Sequence, residues 1–255
     1  MLIKKVNIFF FFFCLITLSA FAQDDEYVIE QPKEPKNRVF STLPNPDYTN
    51  YLLSSSAYTL KKRDIRISGT DIIFAKGSYG LSNNTTASLS ISLIGGFIGS
   101  IKQQLEINED LKLGASASIG NILSVPEDST IFFAGGQIMA TLGDIQNNIT
   151  GGIGAYYAKG TFDVINAERE FQLNNFFIAT QKQIGRKVYL IAEGMYFWNY
   201  NVFSGSLGVK IVIKEYMSLL FGVMPIAWDD PRINQTNVEA SAIPLVSFRI
   251  LLDRH

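Results

Sequence analysis

Thr86-Ala87-Ser88-Leu89-Ser90-Ile91-Ser92-Leu93 puts Ala87, Leu89, Ile91 and Leu93 on one face of a strand and Thr86, Ser88, Ser90 and Ser92 on the other. One face suits hydrocarbon and the other suits water. A soluble sandwich also alternates, with its apolar face turned to a core, so the neighbouring segments have to decide. In residues 187–198 the positions Val188, Leu190, Ala192, Gly194, Tyr196 and Trp198 share a face that ends in two aromatics, as at a membrane interface. Lys187 and Glu193 take the other face. In 202–213, Phe203, Leu207, Val209, Ile211 and Ile213 oppose Ser204, Ser206 and Lys210. Met217, Leu219, Phe221, Val223 and Ala227 share a face of 216–228, and Ala242, Val246, Phe248, Ile250 and Leu252 oppose Ser247 and Arg249 in 240–252.

Further segments of this texture are 51–60, 65–75, 86–93, 97–107, 111–123, 130–142, 149–158 and 171–184. The expected fold is therefore all-β, a transmembrane antiparallel β-barrel of 10 to 12 strands. Connections 78–84, 108–110, 143–148, 185–186 and 214–215 are mostly rich in Asn, Asp and Gly, which suit tight turns. They alternate with 94–96, 124–129, 159–170, 199–201 and 229–239, two of which are the longest and most polar in this region. Short turns at one end and longer loops at the other is the rule for outer-membrane barrels. If the short set is periplasmic, parity demands one outward strand before Ile65, which 51–60 supplies. The phase of 171–184 slips near Asn174-Asn175-Phe176-Phe177, and a bulge there repairs it.

The chain opens with Lys4 and Lys5, an apolar run from Val6 to Leu18 and Ala20-Phe21-Ala22, the arrangement of a secretory signal cleaved before Gln23. Cleavage removes Cys14, the single cysteine, and with it any disulfide or thiolate chemistry. It leaves 20 Lys and Arg against 23 Asp and Glu, a charge of −3 that implies no nucleic-acid partner. Residues 23–47 are rich in Asp, Glu, Lys and Pro and read as a flexible N-terminal tail, with a plug or a partner-binding strand through Tyr27-Val28-Ile29 as the alternative. The barrel is expected over 48–255, inserted in the outer membrane of a Gram-negative cell.

Two segments carry a resemblance. Ser55-Ser56-Ala57-Tyr58-Thr59-Leu60-Lys61-Lys62 and the turn Tyr79-Gly80-Leu81-Ser82-Asn83-Asn84 resemble stretches of uncharacterised outer-membrane β-barrel proteins of Bacteroidota, most of them without an assigned activity. The resemblance implies outer-membrane lipid and the barrel assembly machinery as partners. One departure is the end of the chain, Leu251-Leu252-Asp253-Arg254-His255, where such barrels usually finish on an aromatic residue.

Acyl-transfer or hydrolytic chemistry needs a nucleophile and a base, and the one histidine is His255. No catalytic residue, cofactor or metal is expected. Lys102, Glu106, Lys112, Glu193, Lys210 and Arg249 are expected to face the lumen, either closing it by pairing or lining a narrow polar pore. Glu168, Glu170, Asp229 and Asp230 are candidates in the outer loops. The functional expectation is a non-enzymatic small pore, or a structural or ligand-binding barrel for a small solute or surface ligand. The alternatives are a soluble periplasmic all-β binding protein and a barrel enzyme using loop carboxylates.

Overall fold

A computed structural model describes residues 45–71, 74–92, 95–124, 129–162, 167–229 and 238–252. Twelve antiparallel strands close on themselves, each bonded to its sequence neighbours and the first to the last. They are β1 (Ile65–Thr70), β2 (Phe74–Ser82), β3 (Thr85–Ser92), β4 (Gly96–Glu106), β5 (Leu111–Ser124) and β6 (Ser129–Gly143). β7 (Asn148–Phe162), β8 (Ala167–Gln183), β9 (Val188–Phe197), β10 (Val202–Lys214), β11 (Met217–Asp229) and β12 (Val238–Leu252) complete the wall. Closure pairs Ile65 with Leu252 and Thr70 with Ser247, which joins the first strand to the short-turn half of the last.

Two expectations about the strands fail, and they offset each other in the count. Segment 51–60 is not in the wall, and 65–75 is two strands instead of one. The break falls at Asp71, whose φ of 52° turns the chain. Its amide donates to the Val246 carbonyl (2.8 Å) and its carboxylate accepts from the Val246 amide (2.7 Å), pinning the β1–β2 turn to β12. With the break in place, β1 runs away from the short-turn end and the parity argument for a strand before Ile65 disappears.

The expected bulge in β8 is absent as well. Its register to β7 is unbroken from Asn148↔Gln181 to Phe162↔Ala167, and to β9 from Asn175↔Phe197 to Gln183↔Tyr189. Phe177 simply faces inward, where it is buried against Ala57 and Met139. Register shifts occur instead between Gly80 and Ser82 and between Val212 and Lys214. Strand pairing also continues into the expected loops 159–170 and 229–239, because residues with water on both faces can extend a ladder beyond an apolar belt.

The outer surface is apolar. Leu89, Ile91, Ile119, Ile138, Ile153, Ile178 and Leu207 are all exposed, Ile138 at 58%. Exposed Phe97, Phe132, Tyr157, Trp198 and Phe203 lie toward the loop end, and Tyr79, Tyr216 and Phe248 toward the short-turn end. Inside, the buried set is dominated by Ser, Thr, Asn, Gln, Lys and Arg. A water-soluble β-barrel would have these two surfaces exchanged.

Candidate functional site: a hairpin seated in the lumen

Residues 45–60 fold back on themselves inside the barrel. Asn50 and Ser55 form an isolated antiparallel bridge, Tyr51 N donates to the Ser54 carbonyl (3.0 Å) and Ser56 N to the Thr49 carbonyl (3.1 Å). This is a tight hairpin with Leu52 and Leu53 at its tip. It enters and leaves at the short-turn end. Asn45 Nδ2 donates to the Ile145 carbonyl (2.9 Å), the Tyr58 hydroxyl to the Gly143 carbonyl (2.5 Å) and Thr59 Oγ1 to the Asn83 carbonyl (2.8 Å).

A backbone removed from water must have its amides and carbonyls bonded, and here side chains of the wall take the place of a neighbouring strand. Thr141 Oγ1 accepts from Ala57 N and Thr86 Oγ1 from Leu60 N, both at 2.8 Å. Gln104 Oε1 accepts from Thr59 N (3.0 Å). Lys102 Nζ donates to the carbonyls of Thr49 (3.0 Å) and Ser56 (3.1 Å), gripping both arms. Arg249 donates to the carbonyls of Asn50 (3.2 Å) and Tyr51 (2.5 Å). The Tyr51 hydroxyl meets Asn148 Oδ1 (2.5 Å) and Thr150 Oγ1 (2.6 Å).

Two carboxylates organise the charges. Asp47, fully buried, is paired with Arg66 (3.1 Å), Lys210 (3.5 Å) and Arg249, so one anion of the hairpin meets cations from β1, β10 and β12. Lys210 also donates to the Asp47 carbonyl (2.6 Å) and to Gln181 Oε1 (2.5 Å). At the tip the polarity is reversed. Glu193 of β9 accepts from the amides of Leu52 (2.6 Å), Leu53 (3.0 Å) and Ser54 (2.7 Å), from the Ser54 hydroxyl (2.6 Å) and from Ser206 Oγ (2.9 Å). A carboxylate ringed by donors in this way is a strong acceptor.

Small wall residues make room for the tip. A methyl at Gly208 or Gly222 would stand 2.6 or 2.7 Å from Leu52 Cδ1, so glycine there is a matter of space. Tyr51 packs with Ala179, Ile191 and Leu220, with Leu52 against them, forming an apolar cluster inside a polar lumen.

The residues singled out in the sequence divide into three groups. Lys102, Glu193, Lys210 and Arg249 all touch the hairpin. Lys112 and Glu106 pair with each other at the short-turn rim (3.4 Å), with Glu106 exposed. Glu170 is exposed and pairs with Lys159 (3.7 Å). The side chains of Glu168 and Asp229, all of Asp230 and the segment Tyr27-Val28-Ile29 lie outside the described residues. Among the described residues no three His, Cys, Asp or Glu side chains assemble as a metal site. Arg66, Lys76 and Asp47 were not among the sequence candidates. The inward strand cations were already in excess of Glu193, the one central inward carboxylate, which signals an anion arriving from outside the wall.

Fold and site together define a closed twelve-stranded antiparallel β-barrel with a polar lumen and an internal hairpin. No protein family matches the chain, and no curated protein does. Among solved structures it is similar to the KdgM porin, at 9% identity over 75% of this chain and 98% of that chain with a TM-score of 0.45. It is also similar to the NanC porin, at 10% identity over 74% and 97% with a TM-score of 0.41. A third is a bacterial polysaccharide outer membrane secretin, at 9% identity over 78% of each chain with a TM-score of 0.43.

Proposed function

We propose that this chain is a non-enzymatic outer-membrane barrel acting as a small pore whose lumen is gated by the 45–60 hairpin. The membrane reading is supported by the apolar outer belt between aromatic rims and by the polar interior, an arrangement a periplasmic binding protein with an apolar core would not have. The observation that carries the gating is how the hairpin is held. Wall side chains grip it through ion pairs and hydrogen bonds, and among the described residues its one β-bridge is internal. It can therefore leave its seat without breaking the barrel ladder.

Conductance in planar bilayers tests this reading, comparing the natural chain with a double variant, Asp47→Asn with Glu193→Gln. Both substitutions keep side-chain size and weaken one anchor each. The double variant, verified as folded by a gel shift between heated and unheated samples, is expected to open more often and to favour anions, since the lumen is lined by Lys102, Lys210 and Arg249. Unchanged conductance in a folded double variant makes the hairpin a permanent filling and leaves the structural or ligand-binding role.

A further inference from the structure

Beyond the hairpin tip a cavity of about 250 Å3 is left inside the barrel, lined among others by Ser54, Ser68, Lys76, Ser90, Ile98 and Arg249. It holds on the order of eight waters by volume, at ~30 Å3 each. Its polar wall follows one row of the sheet. Arg249 pairs across to Ser68, Ser68 to Lys76 and Lys76 to Ser90, so β12, β1, β2 and β3 each turn one hydrogen-bond donor inward at neighbouring positions.

Those donors are unequally used. Arg249 is committed to Asp47 and to the hairpin carbonyls. Ser68, Lys76 and Ser90 have no hydrogen-bond or ion-pair partner among the described residues, although Ser68 is 9% exposed. Charge points the same way. Arg66, Lys76, Lys102, Lys210 and Arg249 face Asp47 and Glu193, with Asp64 buried at the rim, so cations exceed carboxylates around the hairpin even when Asp64 is counted. Lys76 is half-buried and, among the described residues, without a partner, a cost that a small anion beside it offsets.

We infer that the cavity is a binding site for one small oxyanion, a free phosphate or carboxylate, held by Lys76 Nζ with the hydroxyls of Ser68 and Ser90. The inference goes beyond the gating reading, because it uses the hairpin in its seat and not its movement. The volume admits a compact ion, whose oxygens would take hydrogen bonds from three strands.

Equilibrium dialysis of the folded full-length chain in non-ionic detergent at low salt, with no lipid present, tests it with labelled inorganic phosphate in one arm and labelled acetate in the other. Saturable uptake of one ion per barrel is expected in at least one arm, and the arm that binds identifies the oxyanion. Lys76→Met is expected to weaken it at least tenfold, on the scale of a charge-assisted hydrogen bond, while Lys62→Gln at the exposed rim leaves it unchanged. No saturable uptake of either ion, or equal losses in the two lysine variants, overturns the site. If Lys76→Met fails the gel-shift check for folding, Ser90→Ala decides, with weakened uptake in support and unchanged uptake against.

Discussion

Replacing Glu193 by alanine removes the acceptor that holds the hairpin tip, and the consequence can be worked from the contacts. The Leu52 and Ser54 amides lie 2.6 and 2.7 Å from its carboxylate oxygens, while the Leu53 amide is more exposed and is left out of the sum. Hydrogen bonds to a charged group contribute about 1.5–3 kcal/mol each. Because Glu193 is itself only half-buried, the lower bound applies, and the tip loses about 3 kcal/mol of seating. At about 1.4 kcal/mol per factor of ten, amide exchange across residues 52–54 should accelerate roughly a hundredfold. Hydrogen–deuterium exchange read by mass spectrometry on peptides spanning 45–60 measures it. Glu193→Gln keeps one carbonyl acceptor and should fall between the natural chain and the alanine variant. Exchange within about threefold of the natural rate, with β9 and β10 amides still protected, would refute the assignment of Glu193 as the tip anchor.

Two further outcomes follow from the packing. Ile138→Arg sets a charge on the apolar belt of β6 and should lower the stability of the membrane-inserted barrel by about 2–4 kcal/mol, seen as a reduced urea midpoint in lipid vesicles. Gly222→Ala brings a methyl to 2.7 Å from Leu52 Cδ1 and should cost about 1–3 kcal/mol, recovered in part by Leu52→Ala in the same chain, since the Leu207 carbonyl at 3.0 Å remains in the way. A double-mutant cycle on the same urea transition checks it, and strictly additive losses would show that the tip does not fill that space.

Alternation made the wall legible. Wherever one face met an apolar surround and the other a polar lumen, as in β3, β9, β10 and β12, period two fixed which residues pointed where. It failed where the lumen was not simply wet. Phe177 faces inward because Ala57 and Met139 give it an apolar neighbour there, and that neighbour comes from a distant part of the chain. Segment 51–60 has strand texture because Tyr51, Ala57 and Leu60 pack against the wall while Ser54 and Thr59 bond to it, a requirement that a lumen hairpin and a strand share. The β1–β2 break was hidden because Thr70-Asp71 is weak punctuation between apolar residues. Lys102, Glu193, Lys210 and Arg249 could be assigned to the inner face by parity alone. That they converge on one hairpin was not legible, because Lys102 and Glu193 bind its backbone and Lys210 and Arg249 meet Asp47, which sits in a Pro-flanked polar stretch where nothing local marks it as an anchor.

Asp47 also bears on how the barrel is put together. The junction of first and last strands spans only six residue pairs, and Arg66 of β1 and Arg249 of β12 both face inward beside it. Zipped shut around an empty lumen, that junction would bring two guanidinium groups together with no anion between them. With the hairpin already inside, Asp47 ties both cations and turns repulsion into attraction. Closure of that seam is thus electrostatically favoured with the hairpin in its seat, a coupling between wall and filling carried by three side chains.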